Sequence, residues 1–352
     1  MDLNKRKEIE GMPLEKLKTF FIKYSIEKYR AEQVFNWIHN HLVFDFDEMK
    51  NIPKDLRIKL NEIFNLISLK KELGQDSLQT KTRKFLFTTS DDKKIESVII
   101  PDKERNTLCL STQVGCPLDC KFCATGLMGY KRNLSAAEIV DQYLLTAKHY
   151  GKEFITNIVY MGMGEPLLNF ENTIESLRVF TCELNKVLSR NRITVSTSGI
   201  PQRIIDLADS KIKVKLALSL HSTYDEIRNT IMPINKKYPL GENIKAIKYY
   251  AQQTKTRITF EYTMLQGIND RKEDIKGLVR LCSLVPSKIN IIPFNSIAHM
   301  SPDGISAKLI PTDKKRIYEF AQELRDKNLT VMIRDTQGDD IAAACGQLAI
   351  RN

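Results

Sequence analysis

The chain has 352 residues, 42% hydrophobic and 28% charged, enough for one large core or a large core with a small companion. No apolar run reaches the roughly 18 residues of a membrane helix, and the opening MDLNKRKEIEGMPLEKLKTF has no apolar signal core, so a cytoplasmic protein with no membrane partner is expected. Lysines and arginines number 54 against 43 acidic residues, a net charge of +11, which favours a polyanion such as nucleic acid as partner.

Residues 1–75 space their apolar side chains at three and four in LEKLKTFFIKY, RAEQVFNWIHNHL and IPKDLRIKLNEIF. That period predicts a small helical N-terminal domain, with Pro53 at a helix start and the only tryptophan, Trp37, in its core. Residues 76–103 change to RKFLFTTSDDKKIESVIIP, two short strands around a polar turn at Asp91 and Asp92, a hairpin linker. Residues 104–352 alternate candidate strands (TLCLSTQ, ITNIVYMG, RITVSTS, VKLALSL, ITFEYTML, INIIPF and LTVMIR) with helical segments such as SAAEIVDQYLLTAKHY. This α/β alternation predicts parallel strands under covering helices, as an open sheet or a barrel. Each strand runs at its C-terminal end into a polar or glycine-rich stretch, and in α/β folds that edge forms the active site.

Four of the seven cysteines lie in LCLSTQVGCPLDCKFCATG. An odd cysteine count without a secretory signal argues against a disulfide framework and for metal or redox chemistry. Cys116, Cys120 and Cys123 follow C-x3-C-x2-C. Structural zinc with Cys109 as fourth ligand is one reading, but such sites usually draw ligands as pairs from separate turns. Three thiolates in one loop suit an iron–sulfur cubane with one iron left open.

Placed after the first strand of a β/α barrel, this loop resembles that of the radical S-adenosylmethionine (SAM) enzymes, and Pro117 and Phe122 fit the pattern. MGMGEP resembles the segment of that superfamily that receives the SAM amino group, with Gly164 exposing backbone and Glu165 offering a carboxylate. Longer stretches narrow the likeness. QVGCPLDCKFCATG, MGMGEPLLN, STSG, SLHS, MPINKKYP, KINIIPFN and GDDIAAACGQL are similar to the RlmN/Cfr family of radical SAM RNA methyltransferases, over nearly the whole chain.

The resemblance implies a partial (β/α)6-type radical SAM barrel, one [4Fe-4S] cluster on Cys116, Cys120 and Cys123, and two SAM molecules per methylation. It implies SAM contacts at Gly164, Glu165, Ser196, Ser219, Leu220, His221 and Asn295. Cys345 would be methylated first and then carry the carbon to the base, Glu96 would accept a proton, and Cys109 would resolve the adduct through a transient disulfide. Taken alone, Glu96 reads as an ordinary exposed strand residue. The implied substrates are adenosine 2503 of 23S rRNA, in conventional numbering, and adenosine 37 of tRNA, with a flavodoxin-type electron donor and a monomeric enzyme.

Carbon C2 of adenine is the expected target, because Pro166 stands where Cfr-type proteins, which methylate C8, tend to carry alanine. A zinc-stabilised RNA-binding protein is the non-enzymatic alternative. Lys81, Arg83 and Lys84, or Lys236 and Lys237, could bind phosphates or simply be solvated. Cys182 and Cys282 are expected to be buried and inert.

Overall fold

The computed structural model describes residues 6–185 and 188–350. At the N-terminus β1 (Lys7–Glu8) leads into α1 (Leu14–Lys23), α2 (Lys28–His39) and α3 (Lys54–Ile63), and β2 (Phe64–Asn65) returns to pair parallel with β1. The three-and-four spacing turns Leu14, Leu17 and Phe21 of α1 inward against Val34, Phe35 and Ile38 of α2. Pro53 caps the start of α3. Trp37 departs from expectation. It is half-buried beside His41 and donates its indole N–H to Asn51 Oδ1 at 2.6 Å, a polar tether at the edge of the helices. The aliphatic and phenylalanine side chains fill the core instead.

The hairpin of β5 (Arg83–Thr88) and β6 (Lys94–Asp102) flanks the polar turn, with Leu86 opposite Glu96. The short strands β3 (Lys70–Lys71) and β4 (Gln75–Asp76) add to its outer side. On its other side β6 pairs antiparallel with β7 (Arg105–Cys109), setting Val98 against Cys109. The hairpin therefore widens the main sheet.

From β7 the sheet continues through β10 (Asn157–Tyr160), β11 (Ile193–Thr197), β12 (Lys215–Ser219), β13 (Ile258–Met264), β14 (Ser287–Pro293) and β15 (Val331–Ile333), all parallel. Two short strands, β8 (Gln113–Gly115) and β9 (Tyr130–Asn133), form a separate antiparallel pair after β7.

Six connections between the parallel strands carry covering helices. These are α5 (Ala136–Tyr150), α6 (Phe170–Phe180), α7 (Pro201–Asp209), the pair α8 (Asp225–Ile231) and α9 (Leu240–Thr254), α10 (Lys272–Cys282) and α11 (Lys314–Arg325). The arrangement is a partial barrel of six β/α units, as expected, with a seventh strand added. β15 and β3 form the two ends of the sheet's pairing order, so the barrel is open.

Strand alternation sorts the side chains. Leu216 and Leu218, Phe260 and Tyr262, and Ile289 and Ile291 are fully buried. The alternate positions Ser219, Glu261, Thr263 and Ile292 line a cavity on the other face. That so many strands contribute to one cavity shows how strongly the sheet curves.

Candidate active site

The three-cysteine loop joins β8 to the single turn α4 (Ala124–Leu127). Gly115 begins it at φ +74°, where an added Cβ would lie 1.8 Å from the Gly129 carbonyl oxygen. Leu118, Phe122, Ile231, Met232, Phe294 and Leu309 wrap the loop in an apolar jacket. Burial pushes the Cys116 thiol up to about 12 and Cys120 well above its ordinary value, and the charge of Cys123 adds to both. Such thiols stay neutral until a metal displaces their protons.

Sulfur donors without oxygen partners suit iron or zinc and not a hard cation. Among the described residues no group of three or more His, Cys, Asp or Glu is arranged for a single metal ion. Three thiols supplied by one loop, with Cys109 on β7 and outside it, suit an iron–sulfur cluster with one iron left open.

Behind the loop the strand ends converge. One cavity of about 120 Å³ is lined by all three cysteines together with Gly164, Glu165, Ser219 and His221. A second, of about 150 Å³, shares Gly164, Glu165, Ser219 and His221 and adds Ser196, Glu261, Thr263, Arg334 and Cys345. Gly164 sits at φ +98°, and a Cβ there would meet Gln113 Cβ at 2.5 Å, so only glycine lets the backbone pass.

Glu165 is buried. Its Oε1 accepts from the Leu167 N–H at 3.0 Å and its Oε2 from the Ser198 N–H at 2.7 Å, while its own N–H donates to Gln113 Oε1 at 2.8 Å. Burial raises its pKa and these bonds oppose the rise. His221 adopts φ +53°, and its Nδ1 accepts from the Thr263 N–H at 3.0 Å. Burial first, and then the Arg228 charge, lower its pKa to about 3. The ring is therefore neutral with its proton on Nε2, and it packs on Phe122 with centroids 4.4 Å apart.

Two of the expected SAM contacts do not line these cavities. Leu220 is fully buried and engages through its backbone, donating to Glu261 O at 3.0 Å. Asn295 donates from Nδ2 to the Cys345 carbonyl at 3.1 Å, and its Oδ1 accepts from Thr336.

Cys109 ends β7, buried, while Cys345 lies in the loop after β15 and opens onto the cavity. Burial pushes Cys109 up to about 12, with the charge of Cys345 adding to the rise. Cys345 is raised by its enclosing walls, and also by Glu261 and Cys123, while Arg334 opposes the shift. The two thiols are thus within electrostatic reach of each other.

The Cys345 loop is tied to the cysteine loop by Ala124 N–H to Gly346 O at 2.7 Å and Thr125 Oγ1 to Leu348 O at 2.6 Å. On its other side Asp340 accepts from Ser77 Oγ at 2.7 Å and from the Leu78 N–H at 2.8 Å.

Glu96 is not exposed. It is buried in β6, paired with Lys84 Nζ at 2.9 Å and accepting from the Ala349 N–H at 3.1 Å. Burial raises its pKa against the pull of Lys84. It lines a separate groove of about 690 Å³ with Lys84, Lys94, His299, Asp339 and Gln347, beside the Cys345 loop and apart from the cavity holding Cys345. Lys84 is therefore an internal ion-pair partner. Arg83 is half-buried beside Asp76 at 3.5 Å, whereas Lys81, Lys236 and Lys237 are exposed. Cys182 and Cys282 are half-buried, not fully buried, and line neither active-site cavity.

Four residues of the site were absent from the sequence reading. Glu261 is the one that left a signal, a charge at an inward position of the otherwise apolar strand ITFEYTM. Gln113, Arg228 and Arg334 look like ordinary polar positions until their surroundings are seen.

Residues 7–66 match the family model of the ribosomal RNA large subunit methyltransferase N-terminal domain, and residues 110–282 match the radical SAM superfamily. The chain is 42% identical to the dual-specificity RNA methyltransferase RlmN of Halorhodospira halophila, over 97% of this chain and 93% of that protein. It is 41% identical to the RlmN of Geotalea uraniireducens, over 97% and 96%. A crystal structure of a radical SAM methyltransferase from Sphaerobacter thermophilus superposes with a TM-score of 0.89 at 38% identity, covering 97% of this chain and 99% of that one. With the cysteine loop and the glycine–glutamate turn on one rim, these matches establish that the chain belongs to the RlmN family of radical SAM enzymes, whose cofactors are a [4Fe-4S] cluster and SAM.

Proposed function

We propose that this chain methylates carbon C2 of adenine in RNA, at adenosine 2503 of 23S rRNA and adenosine 37 of tRNA, with Cys345 as carbon carrier and Cys109 as resolving thiol. The supporting observation is that Cys345 lines one cavity with Cys123 of the cluster loop, while its charge acts on the buried Cys109 thiol far away in sequence. When bound, the cluster and SAM supply a methyl group and one-electron chemistry able to remove a hydrogen from an unactivated methyl.

The chain's own residues do the rest. Glu165 presents a carboxylate to an ammonium, and neutral His221 offers an N–H donor beside Ser196 and Ser219. Leu220 sets the strand end through its backbone, and Asn295 holds the Cys345 carbonyl. Cys345 takes up the methyl as a thiolate nucleophile, favoured by Arg334. Burial keeps Cys109 a neutral thiol at rest, which guards against early disulfide formation.

Once the carried carbon is bonded to C2, Glu96 accepts the C2 proton. That role requires its ties to Lys84 and Ala349 to open. The Cys109 thiol then gives up its proton and its sulfur attacks the Cys345 sulfur. The sulfur–carbon bond breaks with its electron pair going to the carbon, which takes up a proton as the new methyl group, and a Cys109–Cys345 disulfide remains. Residues 1–75 serve as an RNA-contacting accessory domain, 76–103 as a hairpin linker and 104–352 as the catalytic core. A flavodoxin-type donor, a monomeric state and a cytoplasmic location complete the reading.

Anaerobic turnover with SAM and unmodified RNA tests it. Cys109→Ala is expected to accumulate RNA covalently joined to protein, and nucleoside mass spectrometry of the native reaction is expected to find methyl on C2. Normal turnover by Cys109→Ala refutes the resolving role, and methyl on C8 moves the chain to the Cfr-type activity.

A further inference from the structure

Arg228 is among the largest side chains with no solvent exposure, and its hydrogen bonds end on neutral oxygens. Nε donates to Leu220 O at 3.1 Å, Nη2 to Ser198 O at 2.6 Å and to Ser219 O at 3.0 Å, and Nη1 to Asn235 Oδ1. Asp225 also acts on the guanidinium, but it is exposed and connects through the Asn235 amide, which donates to Asp225 Oδ1 at 2.7 Å. A buried cation held by dipoles alone is unfavourable unless a counter-charge is supplied.

The surroundings show where that charge arrives. Arg228 and Cys120 each act on the other electrostatically. Helix α8, which carries Arg228, is joined to the cysteine loop by Lys121 N–H to Ile231 O at 2.9 Å. Ile231 and Met232 pack in one apolar cluster with Leu118, Cys120 and Phe122. A loaded site adds three thiolates beside this guanidinium in a water-poor setting, where charge interactions are strong.

We infer that Arg228 is the buried counter-charge of the iron–sulfur cluster, a positioning residue that holds the strand ends at Ser198, Ser219 and Leu220 and favours the reduced cluster. A fixed positive charge stabilises whichever cluster state carries one more electron, so its removal lowers the reduction potential. This rests on the reading that the loop holds such a cluster.

The test uses full-length protein reconstituted anaerobically, with iron and sulfide measured first and the cluster then titrated by electron paramagnetic resonance without SAM. Arg228→Met is expected to keep its cluster while its reduced-to-oxidised ratio at fixed potential falls about tenfold, which is 59 mV for one electron. Arg228→Lys retains the charge and stays close to the parent. Should Arg228→Met fail to fold, Asp225→Asn carries the test in the opposite sense, because removing the competing negative charge raises the ratio. An intact cluster with unchanged potential in Arg228→Met, or an unchanged or lower ratio in Asp225→Asn, overturns the assignment. A parent protein without iron and sulfide overturns the proposed function itself, so the two failures are told apart.

Discussion

At Gly164 two constraints meet in one residue, a backbone angle of φ +98° and a side-chain neighbour 2.5 Å from any added Cβ. Gly164→Ala is expected to cost about 1–3 kcal/mol in strain and to weaken SAM binding, because relief would shift Glu165. Thermal melting and equilibrium dialysis with SAM check this, and parent-like values in both would refute it. Such residues were legible because their meaning is local: Cys116, Cys120, Cys123, Gly164 and Glu165 sit in short contiguous motifs. Arg228 and Lys84 were not. Their roles come from being buried against partners distant in sequence, Ser198 in one case and Glu96 in the other. Asn295 was singled out from a motif, but only the structure shows it holding the Cys345 backbone.

Among the elements, the seven parallel strands could be read from runs of β-branched residues between amphipathic helices, and each expected strand overlaps an observed one. The hairpin could also be read, but not its pairing with β7, since register depends on a partner that periodicity does not name. The loop carrying Cys345 shows the same limit. It has little regular structure, with a single short turn at Asp339–Ile341, and it is held by side-chain bonds from several segments. Asp340→Ala removes the two bonds to Ser77 and Leu78. Faster proteolysis and hydrogen exchange across residues 335–350 are expected, with iron content unchanged. A loop equally protected in the variant would show that its remaining ties suffice.

For the molecule as a whole, the junction between the N-terminal segment and α5 holds two buried carboxylates, Glu10 and Asp141. Ser68 Oγ donates to Glu10 Oε1 at 2.6 Å, and the Ser68 and Leu69 N–H groups donate to Asp141 Oδ2 at 2.6 and 3.0 Å. Glu10 Oε2 and Asp141 Oδ1 have no partner. Burial raises Glu10 from 4.5 to about 7, and Asp141 rises as well, through burial first and then the charge of Glu10. The folded protein therefore keeps a proton that the unfolded chain releases near 4.5. The share of stability that Glu10 contributes is full below about 4.5 and is lost as pH climbs from there through about 7, and the raised Asp141 adds to the fall in the same direction. Glu10→Gln is expected to flatten that fall and to melt higher than the parent at pH 8. Equal pH dependence in both proteins would exclude the carboxylate pair as its source.

The sheet begins at β3 and ends at β15 without joining. Across that seam, the hairpin and the C-terminal segment are linked by Ser77 and Leu78 to Asp340 and by Glu96 to Ala349, with no ladder of paired strands among the described residues. A wall fastened by a few bolts yields one bolt at a time, whereas a hydrogen-bonded ladder must tear along its length. Opening at this seam therefore asks only for separate bonds to break, these and others such as the ties of the last segment to Ala124, Thr125 and Asn295, and for no strand to unfold.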